Sequence, residues 1–173
     1  DEAPQIAINA LTEALDGFAT HKIVITAPNS DTRGREVHSA LLKFAEDNPD
    51  RVHYSISLGQ VRYLSLLKFA AAIVGKSSSG ILEAPGFRIP TVNIGDRQRG
   101  RIRAPSIIDC DGSVESIRMA IEKALSEAFR ATLIGMTNPF GDGRASGRVA
   151  ALLQSADIDD IVMKTFHDLP DPS

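Results

Sequence analysis

Short runs of β-branched residues alternate with amphipathic helical stretches along most of the chain, and few folds accept that order. Glu2–Phe18 carries Ala7, Leu11, Ala14, Leu15 and Phe18 at helical spacing, with Gly17 as a stop signal. Lys22–Thr26 reads as a buried strand and Ala27–Asp31 as a loop. Thr32–Asp47 reads as a helix with Val37, Leu41 and Phe44 on one face, broken by Asn48-Pro49-Asp50. Val52–Ser57 is then a strand, and Gln60–Ala70 a helix with Val61, Leu64 and Leu67 turned inward. Ala72–Gly75, Thr91–Gly95 and Ser106–Asp109 read as three more strands. A short helix from about Gly80 to Ala84, one capped by Ser113 and running to about Ala128, and one over Arg144–Gln154 complete the series. This order implies an α/β fold, a parallel sheet covered by helices on both faces with right-handed crossovers. In such sheets ligands sit beyond the carboxyl ends of the strands. Pro28–Asp31, Lys76–Gly80 and Asp96–Arg103 each follow a strand and are expected on one edge.

The 173 residues, 43% of them hydrophobic, suffice for one packed core, so residues 1–173 are read as a single domain. Ser155–Ser173 is acidic and ends in prolines. It reads as a loose tail or as a helix around Ile158–Phe166 that packs elsewhere. No apolar run is long enough to span a membrane as a helix. Asp1–Gln5 has no basic segment leading into an apolar one, and the chain starts without Met; it is expected to begin inside a longer protein. A single cysteine, Cys110, excludes an intramolecular disulfide and a cysteine-rich zinc site, and fits a reducing cytoplasm. His21, His38, His53 and His167 show no metal-ligand spacing, and neither a metal nor a cofactor is expected. A net charge of −3, with two Tyr and no Trp, argues against nucleic acid as a partner. One segment reverses that charge: Arg88, Arg97, Arg99, Arg101 and Arg103 face one acid, Asp96, which suggests a local anion site.

The residues that bear chemistry follow strands. Ser77-Ser78-Ser79-Gly80 places three hydroxyls and a glycine between a strand and a helix. Helix-start N–H groups and hydroxyls favour a phosphate, and glycine lets backbone approach a ligand; a serine-capped helix explains the string equally well. Gly75-Lys76-Ser77 resembles the end of a Walker A loop, but position 70 is Ala where that motif needs Gly. The serines also lack the G-x-S-x-G pattern of a hydrolase elbow. Glu83, three residues after Gly80, is expected in the first helical turn. The helix dipole alone accounts for an acid there, and by residue type that explanation is favoured over a carboxylate holding two sugar hydroxyls. Arg97 and Arg101 offer planar, permanently charged forks suited to phosphate. Asn138–Gly143 is a turn before a helix, and Cys110, between two aspartates, is not expected to act as a nucleophile.

Together these strings resemble a known family. Gly75-Lys76-Ser77-Ser78-Ser79-Gly80-Ile81-Leu82-Glu83-Ala84-Pro85 resembles the GNSSSGIxEAP signature of hydrolysing UDP-N-acetylglucosamine 2-epimerases of the sialic acid pathway type. Asn93–Arg101 resembles their NIGxRQxGR segment, Pro28-Asn29-Ser30-Asp31 their PNxD loop, and Asn138–Gly143 their NPYGDG. Lys76 departs from the family's usual Asn. The resemblance implies one Rossmann-like half of a glycosyltransferase-B-type fold, the C-terminal UDP-binding domain, with the N-terminal domain outside this chain. Ser77, Ser78 and Gly80 would hold the diphosphate, Arg97 and Arg101 would neutralise it, and Glu83 would hold the ribose hydroxyls. Leu58 would meet the uracil through its backbone and Tyr63 through its ring, while Asn29 would approach the nucleotide or sugar. The catalytic acid and base carboxylates are expected in the N-terminal domain, so an isolated fragment should bind UDP weakly and catalyse nothing. The implied fold offers the tail from Ser155 a second course beside a loose one, a helix that crosses back to that domain and leaves Ile158, Ile161 and Val162 as an apolar strip without its partner here. The resemblance also implies a homo-oligomer. Rival readings are the same reaction on UDP-diacetylbacillosamine, a glycosyltransferase donor domain using the same residues, and a nucleotide-sensing domain.

Overall fold

The structure, a computed structural model, describes residues 4–28 and 34–157. They form two compact units, one up to Pro139 and one from Phe140 onward.

In the first unit, strands and helices alternate as the sequence pattern implies. The strands are β1 (Ile23–Thr26), β2 (Val52–Ser55), β3 (Ile73–Gly75), β4 (Thr91–Ile94) and β5 (Ile107–Cys110). The helices are α1 (Pro4–Asp16), α2 (Gly34–Asp47), α3 (Gly59–Leu67), α4 (Ser78–Leu82), α5 (Val114–Leu125) and α6 (Glu127–Thr132). All strand pairs are parallel. They lie in two ladders, β1-β2 and β3-β4-β5, where the sequence alone suggests one continuous sheet. Among the described residues no ladder joins β1 to β3; instead, α1 bridges the two, with Leu11 and Leu15 packed against both cores. One core gathers Ile8, Ile25, Leu41, Phe44 and Val52 around β1, β2 and α2. The other gathers Val92, Ile94, Ile108, Ile117 and Ile121 between α5 and the second ladder. Burying an isoleucine such as Ile117 or Ile121 contributes on the order of 1.5–3 kcal/mol.

β4 is buried along its whole length, between β3 and β5. Its residues alternate in direction, as a strand requires. Val92 and Ile94 enter the core under α5. Thr91 and Asn93 are polar yet buried, and each has a partner. The Thr91 hydroxyl donates to the Gly80 carbonyl at 2.9 Å, and the Asn93 amide donates to Asp109 Oδ1 at 2.7 Å. Buried polar groups stay only where such bonds compensate lost water.

Several boundaries differ from the sequence pattern for local reasons. α5 ends at Leu125 because Ser126 turns extended (ψ 139°) and its hydroxyl accepts the Phe129 N–H at 3.2 Å, starting α6. Val61, expected inward, is 79% exposed. The inner stripe of α3 runs through Tyr63, Leu64 and Leu67, and Val61 lies off it. Ile158, Ile161 and Val162, and with them the expected tail or crossover helix, lie outside the described residues.

In the second unit, α7 (Ala145–Ser155) follows Arg144, whose N–H is held by Asp142. The Asp142 carboxylate accepts the Arg144 N–H at 3.0 Å and an Arg148 guanidinium N–H at 3.1 Å, and its Oδ1 is ion-paired with Arg148 Nη2 at 3.0 Å. Those bonds, Arg148 first, hold its carboxyl below the ordinary range. No helix among the described residues is long and apolar enough to cross a membrane.

Candidate functional site

The carboxyl ends of β3, β4 and β5 are in register: Gly75 pairs with Asn93, and Asn93 with Asp109. Whatever follows these three residues therefore starts from one edge.

After β3 the chain enters α4 through Ser77, whose hydroxyl accepts the Ser79 N–H at 3.2 Å. The cap sits at Ser77 and the helix begins at Ser78, two residues earlier than the sequence pattern suggests. Glu83 consequently closes α4 instead of opening it, with its N–H on the Ser79 carbonyl at 2.9 Å. It also precedes the 3-10 turn Ala84–Phe87, to which its side chain gives no capping bond. The dipole of α4, which seemed to explain an acid here, favours acids only at the other end of the helix. Instead the Glu83 carboxylate turns back to accept the Ser79 hydroxyl, which also bonds the Tyr63 phenol from α3. That link joins the helix after β2 to the helix after β3, so the two ladders present their carboxyl ends to one place. Ser79 lay inside the serine string without being singled out; the signal that could have found it is its position four residues before Glu83, one helical turn.

Gly80 is needed for packing. A Cβ there would stand 2.6 Å from Thr91 Cγ2, so the close approach that demands glycine is to β4. The Ser78 hydroxyl has no partner among the described residues. Leu58 immediately precedes α3 and is half-buried. Its N–H makes no hydrogen bond among the described residues, which leaves it available, as a base-contacting group would need to be. Asn29 lies outside the described residues.

After β4, Gly95 takes a positive φ of 71° and turns the chain into the arginine loop. Gln98, 3% exposed, anchors that loop by donating its amide to the Lys76 carbonyl at 2.9 Å. The structure then sorts the arginines. Arg103 is ion-paired with Asp109 and donates to the Gln98 carbonyl at 3.3 Å. Arg88 closes the 3-10 turn in the left-handed conformation. Arg97, Arg99 and Arg101 are exposed, and their guanidinium groups have no partner among the described residues. A partnerless guanidinium on a loop tied to the one that enters a serine-capped helix suits an anion. Cys110 lies at the end of β5, where burial first, then Asp111 and Asp109, push its thiol up to about 11. It is a protonated, inert thiol at neutral pH.

A family model described as UDP-N-acetylglucosamine 2-epimerase matches residues 1–154. The chain belongs to this family. Among its relatives, the GDP/UDP-N,N'-diacetylbacillosamine 2-epimerase (hydrolyzing) of Campylobacter jejuni is 35% identical over 166 residues, 95% of this chain. The chain spans 43% of that relative's length. A Methanocaldococcus jannaschii UDP-GlcNAc 2-epimerase, solved with UDP-GlcNAc and UDP, matches with a TM-score of 0.67 at 19% identity. The match covers 90% of this chain and 42% of that one. The Neisseria meningitidis UDP-GlcNAc 2-epimerase, solved with UDP-GlcNAc, matches with a TM-score of 0.64 at 15% identity, over 87% of this chain and 41% of its own. At those identities the solved structures establish the fold. This epimerase-family chain has the Rossmann-like α/β fold, one half of a glycosyltransferase-B-type fold.

Proposed function

We propose that the chain is the C-terminal, UDP-binding domain of a hydrolysing UDP-N-acetylglucosamine 2-epimerase. The reading rests on one juxtaposition: the loop that carries the partnerless Arg97 is tied, through Gln98, to the carbonyl of Lys76 just before the Ser77 cap of α4. Family membership supplies the substrate class.

The reaction takes UDP-N-acetylglucosamine and water to N-acetylmannosamine and UDP. A base removes the C2 proton, the bond from C1 to the UDP oxygen breaks, and a glycal forms. Water then adds its oxygen to C1 and a proton to C2 on the opposite face, inverting C2. Negative charge grows on the diphosphate as it leaves. Arg97 and Arg101, the Ser77 and Ser78 hydroxyls and the N–H groups around Gly80 stabilise that charge more in the transition state than in the bound substrate, which lowers the barrier. Glu83 takes the ribose hydroxyls, Leu58 and Tyr63 the uracil, and Asn29 the nucleotide or sugar. The acid and base carboxylates come from the N-terminal domain, so the chain alone binds UDP weakly and does not turn over. The whole enzyme is a homo-oligomer working in the cytoplasm.

Calorimetric titration of the full-length protein with UDP, beside its Arg97→Ala variant, tests the site. Binding that the variant loses supports it, and UDP affinity that Arg97→Ala leaves intact removes Arg97 from it. Release of N-acetylmannosamine from UDP-N-acetylglucosamine without an acceptor supports the hydrolysing reaction; formation of the epimerised UDP-sugar instead overturns it.

A second reading keeps the chemistry and changes the sugar to UDP-N,N'-diacetylbacillosamine. The Campylobacter jejuni relative, 35% identical, favours it. Assaying both substrates side by side decides between them.

A further inference from the structure

The chain Tyr63–Ser79–Glu83 carries an inference about Ser79, a residue with no role in the site as described so far. An ionised carboxylate only accepts hydrogen bonds. Ser79 must therefore donate its single proton to Glu83 Oε2, and Tyr63 must donate to Ser79. The polarity of the relay is fixed from phenol to hydroxyl to carboxylate. It leaves Glu83 Oε1 without a partner among the described residues. A glutamate has three rotatable side-chain bonds and loses that freedom when a ligand fixes it. Here the freedom is removed beforehand, because one carboxylate oxygen is already tied to α4 and, through Tyr63, to α3. Such pre-organisation raises affinity for whatever the other oxygen receives. A ligand that lacks one of the two hydroxyls makes one bond fewer to that ready oxygen, so the pre-organised carboxylate separates diol from deoxy ligands.

We propose that Ser79 is a positioning residue that holds Glu83 ready for a vicinal diol and so sets the preference of this site for ribose over deoxyribose nucleotides. This rests on the reading of Glu83 as the ribose-binding group. Tyr63 has two tasks in consequence: its ring faces the base and its hydroxyl orients Ser79.

The test is calorimetric titration of the full-length protein with UDP and with 2′-deoxy-UDP, for the native chain and for Ser79→Ala, Ser79→Thr and Tyr63→Phe. Melting curves of each variant check folding. The native protein should prefer UDP by about tenfold. Ser79→Ala should weaken UDP binding by about fivefold and 2′-deoxy-UDP binding by less than about twofold, so the preference collapses. Ser79→Thr, which keeps the hydroxyl, should restore it, and Tyr63→Phe should lose part of it. Equal weakening of both ligands by Ser79→Ala, or an unchanged preference, overturns the role of Ser79 and leaves Glu83 on the ribose. A native protein that binds both nucleotides equally, or neither, overturns the Glu83 reading and this inference with it.

Discussion

The side-chain amide of Gln98 donates to the backbone carbonyl of Lys76 at 2.9 Å, 22 residues earlier in the chain. This bond ties the loop after β4, which carries Arg97, to the loop after β3. Gln98→Ala removes this bond and empties the place of a side chain that is 3% exposed, which together cost about 2 kcal/mol. For a chain of this length that is a fall of roughly 4–8 °C in melting temperature. UDP affinity should fall about fivefold as well, because the arginine loop must then be ordered on binding. Thermal denaturation and titration of one variant read both.

Gly80 and Thr91 make a prediction that contains its own rescue. In Gly80→Ala the new methyl meets Thr91 Cγ2 at 2.6 Å, and overpacking of this kind costs about 1–3 kcal/mol. Thr91→Ser removes that methyl and keeps the hydroxyl that bonds the Gly80 carbonyl. The double variant should melt within about 2 °C of the native protein, the range of ordinary additivity error. If it melts as low as Gly80→Ala alone, the clash lies elsewhere.

Arg97 and Arg103, six residues apart, should separate binding from stability. Arg97 has no partner to lose among the described residues, so Arg97→Ala should leave the melting temperature in place and weaken UDP binding by about 10- to 100-fold. Arg103 holds Asp109 and the Gln98 carbonyl at a partly exposed position. Arg103→Ala should cost about 1 kcal/mol of stability, with a smaller effect on affinity. Denaturation and calorimetry of the two variants should give opposite patterns.

Cys110 supplies a pH-dependent prediction. Its thiol is raised from 9.0 to about 11 on folding. At pH 8 the thiolate fraction then falls about a hundredfold, and the higher nucleophilicity of the more basic thiolate returns about tenfold. A disulfide reagent should therefore label the folded protein about tenfold more slowly than the unfolded one. The linkage has the same sign. Above pH 9 the unfolded chain gives up this proton while the folded one keeps it, so the stability owed to Cys110 is full below pH 9 and is lost as the pH rises to about 11. Cys110→Ser should flatten that part of the pH–stability curve.

Local chemistry made much of the fold legible, together with the loops on which the proposed anion site rests. Helical spacing placed Leu41 and Phe44 on the buried face of α2 and Ile117 and Ile121 on that of α5, and both are buried. Loop position placed Arg97 and the serines on one edge, because the carboxyl ends of parallel strands share a side. Three things escaped it. Val61 carries the right residue type, and its exposure depends on which way α3 is rotated against its neighbours. Composition cannot tell Arg103 from Arg97; only the position of Asp109 on the adjacent strand does so. Ser79 looks like its two neighbours until Tyr63 and Glu83 come within reach.

The order of residues by itself determined the alternation of strands and helices, the parallel sense of the strands and the family, because period, turn chemistry and motif spacing are local properties of a chain. Only the tertiary structure decided that Glu83 ends a helix and bonds back to Ser79, that Gly80 is a packing glycine, and which arginines stay unpaired. Each of those depends on what stands opposite a side chain. Gln98 and Lys76, 22 residues apart, meet because β3 and β4 in register bring their loops to one edge, and Tyr63 and Ser79, 16 residues apart, meet only once α3 and α4 are packed.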